Sequence, residues 1–348
     1  MTVGLQEAVS YNTAMVANNI PTALVVFGAT GDLMTKKITP ALFNLFTKNK
    51  LPKLFRVIGY ARRPMTDDQF RLHVSRIILT NKHIKINKKV LNDFLKRFFY
   101  NQGKFESLID YKSLAKDLGL VDEEWKVCSN KLFYTAVPPE HYQTIFQHLH
   151  DSGLTIPCGP DEGWTRVIVE KPFGKDAATA ERLDLKLAQL FKEEQIYRID
   201  HYLAKEMLQN ILSFRFSNNI FEQSWSNEYI EKISIRLLEK IGVEKRGVFY
   251  DGVGALRDMG QNHLLQMLSL VAMDHPTSFG ADEIREKRNE ILKCLIPPSQ
   301  SEILEHTVRA QHSGYRAISG VKKNSHTETF FRVRAFLDSP RWQSVPII

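Results

Sequence analysis

Nine consecutive residues, 198–206, hold the densest set of chemically active side chains in the sequence: cations, carboxylates, an imidazole and a phenol. Among them, His201, Tyr202 and Lys205 are hydrogen-bond donors that precede a segment with helical periodicity. Such donors at the start of a helix suit a phosphate group. The alternative is a salt-bridged turn that binds no ligand.

The elements on either side of this stretch support a ligand site. Apolar residues at 196, 197 and 199 predict a short strand, and apolar residues at 203, 207, 208, 211 and 212 predict a helix. In an open α/β sheet, ligands bind where strands end and helices begin. We therefore expect the polar side chains of residues 198–206 to line a binding site.

A glycine turn near the start of the chain predicts a second site. Residues 23–27 predict a buried strand, and a helix is expected from about residue 36 to residue 47. Glycines between a strand and a helix let backbone N–H groups approach a pyrophosphate. The spacing is Gly-x-x-Gly and not the usual Gly-x-Gly-x-x-Gly, so a plain tight turn is the alternative. The turn consists of Gly28, Ala29, Thr30, Gly31, Asp32 and Leu33.

The second predicted strand, residues 56–61, ends in a basic pair, Arg62 and Arg63. In an NAD site the second strand usually ends in an acidic residue that binds the ribose diol. A basic end suits the 2′-phosphate of NADP, and Lys36 and Lys37 would add positive charge on the same side. The alternative is a pair of solvated arginines.

Strands and helices alternate up to about residue 200, which predicts a doubly wound parallel sheet. Lys171 follows one strand and is expected to lie beside a bound nucleotide, and Pro172 after it is a candidate for a cis peptide bond. Loops and short helical pieces are expected from residue 100 to about residue 128. The other predicted strands are 132–137 and 166–169, and the predicted helices are 67–80, 87–99, 140–151 and 176–193.

After residue 214 the pattern becomes that of an α+β domain. Residues 231–237 and 329–337 alternate polar and apolar positions, which predicts strands with one wet face, and Glu239 lies at the end of the first. Helices are predicted over 254–273 and 282–295. His263 lies on an apolar stripe of the long helix, with Asp258 before it. A core histidine is the alternative to a functional one.

Charge and cysteine content limit the class of protein. The net charge of +8 over 348 residues is spread along the chain, so nucleic-acid binding is not implied and an anionic substrate or cofactor fits. Cys128, Cys158 and Cys294 show neither a disulfide framework nor metal spacing, which predicts a reducing compartment. No Lys or Arg precedes Lys36, and no apolar run is long enough to span a membrane. We therefore expect a cytoplasmic protein without a membrane partner.

Six motifs stand in a fixed order along the chain. The two most specific are Arg-Ile-Asp-His-Tyr-Leu-x-Lys-Glu at 198–206 and Gln-Asn-His-Leu-Leu-Gln at 261–266, and the others lie at 26–33, 59–62, 133–139 and 170–174. Together they resemble the glucose-6-phosphate dehydrogenase family. The resemblance implies a Rossmann-type NADP-binding domain over residues 1–200. It also implies a substrate and dimerisation domain over residues 201–348, of α+β class with a large, mainly antiparallel sheet that is incomplete in this chain.

The resemblance implies that β-D-glucose 6-phosphate is oxidised at C1 to 6-phospho-D-glucono-1,5-lactone, with hydride transfer to NADP⁺, in the first step of the oxidative pentose phosphate pathway. It implies that His263 is the general base and that Asp200 orients its imidazole. No metal is expected, because the proton goes to a base and the hydride to the cofactor. The implied substrate-binding residues are Lys171, His201, Tyr202, Lys205, Glu239 and Asp258, and the implied cofactor-binding residues are Gly28, Ala29, Thr30, Gly31, Asp32, Leu33, Met34, Thr35, Arg62, Tyr134 and Lys171.

Two departures from the family pattern stand out. Ala204 occupies a position where the family usually has glycine, and its methyl group would crowd the phosphate slightly. Family members also continue beyond this length, through an Arg-Thr-Gly-Lys segment and several strands, so we expect a chain that is truncated at its C-terminal end and leaves a sheet edge exposed. A homodimer or homotetramer is expected if the full family fold is present.

Two other interpretations compete with this one. A glucose–fructose oxidoreductase type of sugar dehydrogenase also pairs a dinucleotide domain with a sheet domain, but it lacks the Asp-His-Tyr-Leu-x-Lys motif. A truncated, non-catalytic relative that acts as a binding or assembly partner is the alternative from a different functional class. The presence of both Asp200 and His263 argues against this alternative.

Overall fold

The computed structural model describes residues 20–81, 86–159, 163–171, 173–174, 176–217 and 220–348, apart from the side chain of Lys245. The candidate cis bond at Pro172 lies outside the described residues. The chain divides after Ile199 into two compact parts, which we call the first unit and the second unit.

A parallel sheet forms the centre of the first unit. Its strands are β1 (Thr22–Phe27), β2 (Phe55–Ala61), β3 (Phe98–Gln102), β4 (Asn130–Thr135), β5 (Thr165–Val169) and β6 (Ile196–Arg198). They lie in the order β3-β2-β1-β4-β5-β6, which confirms the predicted doubly wound fold. The direction of winding reverses between β1 and β4, and in such sheets ligands bind at the carboxyl ends of these two strands.

The apolar sequence of β1 explains its central place in the sheet. All six of its residues are buried, and successive side chains point to opposite faces. Val25 and Phe27 pack into one hydrophobic cluster, whereas Leu24 and Val26 pack into a second one. A strand that is buried on both faces needs a continuous apolar run, which is what residues 23–27 supply.

Helices pack on both faces of this sheet. They are a π-helical turn over Met34–Ile38 that runs into α1 (Thr39–Thr47), then α2 (Asp67–Thr80), α3 (Lys88–Leu95), α4 (Leu108–Trp125), α5 (Tyr142–Asp151) and α6 (Ala177–Leu190). The start of α2 is fixed by a capping box, in which Thr66 and Gln69 each accept a hydrogen bond from the other's backbone N–H. This helix has the bounds that the sequence predicts.

Three predictions for the first unit are wrong in detail. Phe98 and Phe99 begin strand β3 and do not end a helix, because they pair with Val57 and Ile58 of β2. Aromatic residues favour such a half-buried strand. The following region, expected to hold loops and short pieces, contains the 18-residue helix α4. The helix after the glycine turn has begun by Met34, earlier than predicted.

Cys128 and Cys158 form a disulfide, contrary to the prediction that the cysteines do not pair. Cys128 precedes β4, and Cys158 precedes β5, its parallel neighbour. Because neighbouring parallel strands begin at the same edge, the two Cα atoms lie 6.4 Å apart although 30 residues separate them in sequence. The spacing of cysteines in a sequence does not show such a contact. The disulfide removes one reason for expecting a reducing compartment.

The second unit is of α+β class, as predicted. Its helices are α7 (Glu206–Phe216), α8 (Gly247–Tyr250), a π-helical segment over Leu256–Leu264, α9 (Leu265–Ala272), α10 (Ala281–Lys293) and α11 (Ile303–His306). Its strands are β7 (Leu295–Ile296), β8 (Thr307–Ala310), β9 (Phe330–Val333) and β10 (Phe336–Leu337). In the described part of the chain these form two small antiparallel pairs, β7 with β10 and β8 with β9.

A hydrophobic core holds the helices of the second unit together. Trp342 is completely buried in it and donates its indole N–H to the carbonyl of Ala272, the last residue of α9, at 2.8 Å. Leu268 and Met267 of α9 and Leu212 of α7 lie in the same cluster. Among the helices that the structure describes, none has both the length and the apolar content of a membrane span.

Residues 231–237 do not form the strand that their alternation predicts. Ile233 and Ile235 donate backbone N–H groups to Pro346 and Ile348, and the pairing with this segment is a single bridge. An alternating sequence becomes a strand only where a neighbour supplies a ladder of hydrogen bonds. The predicted strand over 329–337 is present as β9 and β10, and the helix predicted over 254–273 is present with π geometry in its first half.

Candidate active site

His263 and Asp200 form a close pair in the second unit. Nδ1 of His263 lies 2.7 Å from Oδ1 of Asp200. The His263 side chain is fully buried, and 14% of the Asp200 side chain is exposed. Because a carboxylate accepts a hydrogen bond, Nδ1 carries the proton of the neutral imidazole, and Nε2 becomes the nitrogen that can accept one. The pair has the arrangement of a general base and an orienting acid.

A turn after β6 holds the Asp200 carboxylate in place. Oδ1 of Asp200 also accepts the backbone N–H of Tyr202 at 3.0 Å, and the Asp200 carbonyl accepts the N–H of Leu203. Asp side chains often stabilise turns by bonding to the backbone two residues ahead. Because of this turn, α7 begins at Glu206 and not at Leu203, where the apolar pattern starts.

Tyr202 links several of the polar side chains. Its ring stacks on the His263 ring at a centroid distance of 4.0 Å, and its hydroxyl donates to Oε1 of Glu239 at 2.7 Å. Nζ of Lys205 lies 3.4 Å from the centre of the same ring, within cation–π range. Burial and the hydrogen bond to Glu239 raise the pKa of the Tyr202 phenol, so the ring stays neutral.

His201 and Lys205 lie on the solvent side of this group. The ring of His201 is 4.8 Å from that of Tyr202 and 4.9 Å from that of His263. Lys205 occupies the N-cap position of α7, and both residues are exposed. Exposed donors beside the amino end of a helix add to its positive potential, which favours an anion. The structure thus brings His201, Tyr202 and Lys205 together beside the buried pair.

Two further carboxylates act on the same region. Glu239 accepts a hydrogen bond from the Tyr202 hydroxyl, and the charge of Asp258 also contributes to the raised pKa of the Tyr202 phenol. Burial, and after it the charge of Asp258, raises the pKa of Tyr250 to about 12. Glu239 and Asp258, which lie on separate segments, are therefore both close to the aromatic group formed by Tyr202 and its neighbours.

Arg288 of α10 belongs to the surroundings of this site, although sequence reasoning missed it. Burial lowers the pKa of its guanidinium, and the charge of Asp200 opposes that change. Its Nε donates to the Ser269 hydroxyl of α9 at 3.2 Å. The amphipathic pattern of α10 contains several charged residues, and nothing in it distinguishes Arg288 from the others.

One donor atom each from Asp200, His201 and His263 lies within 4.8 Å of the others, a spacing that a metal ion can bridge. In this structure Nδ1 of His263 and Oδ1 of Asp200 are joined by a direct hydrogen bond, so these two atoms share a proton and not an ion.

In the first unit, the turn after β1 requires glycine. Gly28 has a φ of +80°, and a Cβ atom there would lie 2.5 Å from the carbonyl oxygen of Ala136. The N–H of Gly31 donates to the Gly28 carbonyl at 2.9 Å. Gly31 and Asp32 are exposed, and the helix follows directly. The turn thus presents accessible backbone at the amino end of a helix, the arrangement that binds phosphate.

The register of the sheet places other predicted cofactor residues at the same edge. Phe27 is level with Tyr60 of β2 and with Thr135 of β4. Arg62 follows β2 with an exposed side chain, and Lys171 comes two residues after β5. All of these strands are parallel, so their carboxyl ends share one edge.

Tyr134 and Glu170 form a polar pair at this edge. The Tyr134 hydroxyl donates to Oε1 of Glu170 at 2.5 Å. Burial, and the carboxylate of Glu170, raise the pKa of the Tyr134 phenol. Glu170 is not among the predicted site residues, although its position directly before Lys171 is a signal that the sequence offers.

Some of the predicted cofactor residues offer little to a ligand. Ala29 and Met34 are fully buried in the core below the sheet, so only their backbone is available. The Thr35 hydroxyl donates to the Gly31 carbonyl at 3.0 Å. Lys36 pairs with Asp32 at 2.6 Å, and both side chains are exposed.

Comparison with known families finds matches to both parts of the chain. The family model "Glucose-6-phosphate dehydrogenase, NAD binding domain" matches residues 25–210, and "Glucose-6-phosphate dehydrogenase, C-terminal domain" matches residues 212–348. The chain belongs to the glucose-6-phosphate dehydrogenase family. The resemblance seen in the sequence motifs is thereby confirmed.

Individual members of the glucose-6-phosphate dehydrogenase family are similar over most of this chain. The glucose-6-phosphate 1-dehydrogenase of Chlamydia muridarum is 40% identical over 94% of this chain and 66% of its own length. That of Bacillus subtilis is 38% identical over 95% of this chain and 68% of its own length. The chain therefore spans about two thirds of the length of the curated relatives it matches.

Solved structures of the family have the same fold. The glucose-6-phosphate 1-dehydrogenase of Mycobacterium avium superposes with a TM-score of 0.83 and 35% identity, over 94% of this chain and 68% of that chain. A glucose-6-phosphate dehydrogenase solved with its substrate glucose 6-phosphate superposes with a TM-score of 0.85 and 34% identity, over the same shares of the two chains.

Proposed function

We propose that this protein is an NADP-dependent glucose-6-phosphate dehydrogenase that oxidises β-D-glucose 6-phosphate at C1 to 6-phospho-D-glucono-1,5-lactone. The observation that carries the proposal is the buried pair of His263 and Asp200, which are joined by a 2.7 Å hydrogen bond. Beside this pair lie side chains that can donate hydrogen bonds to a phosphate. The reaction removes a proton from the C1 hydroxyl and a hydride from C1. It therefore needs one positioned base and one acceptor of hydride.

His263 is the base in this proposal. With Nδ1–H bonded to Asp200, Nε2 accepts the proton of the C1 hydroxyl, and the Asp200 carboxylate stabilises the imidazolium that forms. The 2.7 Å hydrogen bond to Asp200 supports this role, because it fixes the tautomer and the orientation of the imidazole. Asp200 acts through His263 and does not contact the reacting carbon.

His201, Tyr202 and Lys205 bind the phosphate of the substrate. Two of them are exposed at the start of α7, where an anion is favoured. The hydroxyl of Tyr202 donates to Glu239 in this structure, so a bound phosphate would compete with Glu239 for that proton. Glu239 and Asp258 accept hydrogen bonds from sugar hydroxyls, which suits carboxylates that lie beside the same aromatic ring.

The first unit binds NADP in this proposal, and the second unit binds the sugar phosphate. When bound, NADP⁺ supplies the acceptor for the hydride. The fit rests on Gly28, whose position leaves no space for a side chain, and on the accessible turn that follows it. The turn and helix start over residues 28–35 hold the pyrophosphate, Arg62 holds the 2′-phosphate, and Tyr134 and Lys171 hold the nicotinamide end.

Self-association and a cytoplasmic location are the remaining parts of the proposal. Exposed apolar side chains in the second unit support a homodimer or homotetramer, among them Val308 of β8 and Phe330 of β9. Sedimentation that shows a monomer at all concentrations would contradict this part. The cytoplasmic location stays a prediction, and the pairing of Cys128 with Cys158 does not support it.

The decisive test measures NADPH formation from glucose 6-phosphate, by absorbance, with this polypeptide as it stands. His263→Asn is expected to abolish most of the rate. His150→Asn is the matched control, because His150 is an exposed histidine of α5 in the other unit. Binding of glucose 6-phosphate is measured in parallel by calorimetry, so that loss of chemistry is separated from loss of binding.

The outcomes of this test distinguish the two functions. Turnover that His263→Asn removes and His150→Asn keeps supports the dehydrogenase. Binding of NADP⁺ and glucose 6-phosphate without turnover supports the non-catalytic relative. Turnover that survives His263→Asn with unchanged kcat contradicts a mechanism in which His263 is the base.

A further inference from the structure

The disulfide between Cys128 and Cys158 lies away from the nucleotide turn. Both cysteines precede strands of the parallel sheet, β4 and β5, and so lie at its amino edge. The turn at Gly28 follows β1 and lies at the carboxyl edge. Neither sulfur has a part in the proposed dehydrogenase reaction, and the pair needs an explanation of its own.

The two sulfurs differ in their access to solvent. Cys158 is exposed, whereas Cys128 is partly buried. Thiol–disulfide exchange starts with attack of a thiolate on the sulfur that it can reach, and the other sulfur leaves. An external thiol would therefore attack Cys158 and release Cys128 as a thiolate.

A lysine is placed to stabilise that leaving thiolate. Nζ of Lys131 lies 3.8 Å from Sγ of Cys128, and its side chain is only 11% exposed. The ammonium is held by Oδ2 of Asp122 at 2.7 Å and by the carbonyl of Ser129 at 3.1 Å. A nearby cation favours the thiolate form of a cysteine, which both leaves and attacks faster than the thiol.

Asp122 completes the group by holding the lysine beside the sulfur. Its Oδ2 lies 3.7 Å from Sγ of Cys128, and its Oδ1 accepts the N–H and the hydroxyl of Ser129 at 2.9 and 2.5 Å. These bonds fix the carboxylate beside the sulfur. When Cys128 is reduced, its thiol can donate to this carboxylate, and its thiolate faces the ammonium that the same carboxylate holds.

Backbone hydrogen bonds also hold the two cysteines together, independently of the disulfide. The N–H of Cys158 donates to the Gly163 carbonyl at 3.0 Å, and the N–H of Lys131 donates to the Trp164 carbonyl at 2.8 Å. Gly163 has a φ of +68° and packs on both cysteines, since a Cβ there would lie 3.0 Å from Sγ of Cys128. After reduction, the backbone still holds the thiols near each other, so the disulfide can form again.

We propose that Cys128 and Cys158 form a reversible thiol–disulfide exchange site for low-molecular-weight thiols and disulfides of the glutathione class. In reduction, an external thiolate attacks Sγ of Cys158, the S–S bond breaks, and its electron pair leaves with Cys128. A second external thiolate then attacks the external sulfur of the mixed disulfide and releases Cys158. The balance is protein disulfide plus two thiols to protein dithiol plus one external disulfide.

A metal site is the competing interpretation of the same residues. Donor atoms of Asp122, Cys128 and Cys158 lie within 4.8 Å of one another, and these are ligand types that zinc accepts. The ammonium of Lys131 donates to Oδ2 of Asp122 and lies next to Sγ of Cys128. This positive charge disfavours binding of a metal cation at the same atoms. The geometry therefore favours exchange chemistry, and zinc becomes an outcome of the test.

The test is a redox titration of Cys294→Ser protein, which contains only the two cysteines in question. The folded protein is equilibrated with reduced and oxidised glutathione in varied ratios and quenched with acid. Free thiols are then labelled with a polymer maleimide, which lowers the electrophoretic mobility of the protein by one step per thiol. We expect both thiols to appear together in a single two-electron transition. A disulfide that never forms in oxidised glutathione, or one that is reduced only after urea unfolds the protein, overturns the proposal. One equivalent of protein-bound zinc, released when the thiols are blocked, also overturns it.

The role of Lys131 is tested by the rate of reduction. Lys131→Met is expected to slow the reaction with reduced glutathione about tenfold, because the leaving thiolate loses its cation. Lys131→Arg should restore most of the rate, and Lys126→Met, at an exposed lysine after α4, should leave it unchanged. Equal rates for Lys131→Met and Lys126→Met would remove Lys131 from the site. The titration needs no change at Lys131, so it decides the main proposal even if Lys131→Met does not fold.

Discussion

Replacing Asp200 by Asn tests whether the acid acts on the reaction through His263. The substitution keeps the size of the side chain and removes the charge that holds the Nδ1 proton. A hydrogen bond to a charged group contributes about 1.5–3 kcal/mol. Each 1.36 kcal/mol of barrier is a factor of ten in rate, so kcat should fall about 10- to 150-fold.

His263→Asn removes the base itself and should cost more. Loss of a positioned general base typically lowers the rate by about 10²–10⁴-fold. If Asp200 acts only by orienting His263, the double variant should be no slower than His263→Asn alone, because nothing is left to orient. The KM for glucose 6-phosphate should change little in all three variants, since the residues proposed to bind the phosphate are neither Asp200 nor His263.

The assay is steady-state NADPH formation with varied glucose 6-phosphate, on protein whose folding is checked by circular dichroism. Asp282→Asn is the matched control, because Asp282 is 96% exposed on α10 and pairs with Arg285 at the surface. Two results would refute the reasoning. One is a normal kcat in Asp200→Asn; the other is a double variant in which the two losses multiply, as they do for residues that act independently.

Three further predictions concern separate residues. Lys205→Ala should raise the KM for glucose 6-phosphate at least about tenfold and leave activity on free glucose unchanged, because an ammonium contact to phosphate is lost. Lys232→Ala, at an exposed lysine, is the control. Equal losses of activity on both sugars would exclude a phosphate-binding role for Lys205. Arg62→Ala should raise the KM for NADP⁺ about tenfold more than the KM for NAD⁺. Arg182→Ala, at an exposed arginine, is the control. Equal increases in the two KM values would contradict a role for Arg62 in binding the 2′-phosphate. Burial, with Arg63 and Arg76, lowers the pKa of His73, so the unfolded chain binds the proton more readily and stability should fall as pH decreases from about 7 to 5. Urea unfolding of His73→Gln should show a smaller fall over that range, and an unchanged slope would mean that other groups cause it.

The parallel sheet was predictable because its signals are local. Residues 23–27 form a continuous apolar run, glycines follow it, and a helical period comes next, so strand, turn and helix are each visible in a short window. The motif over 198–206 was likewise predictable as a strand-to-helix junction. The structure places His201, Tyr202 and Lys205 together there, as the sequence suggests.

The features that could not be predicted depend on distant partners. Residues 231–237 have the alternation of a strand, but their pairing depends on residues 346–348, more than a hundred positions later. The contact of Cys128 with Cys158 depends on β4 and β5 being neighbours in the sheet. Arg288 comes near Asp200 through the packing of α10 on α9. None of these contacts has a signal within one window of sequence.

The π-helical segment Leu256–Leu264 determines which residues share a face with His263. In an α-helix, residues five apart are separated by about 140° around the axis. In a π-helix, hydrogen bonds join residues five apart, so Asp258 comes nearly into line with His263. α-helical winding over the same residues would put the Asp258 carboxylate on a different face from the imidazole. The role proposed for Asp258 therefore depends on the π-helical winding of residues 256–264 as well as on the carboxylate itself.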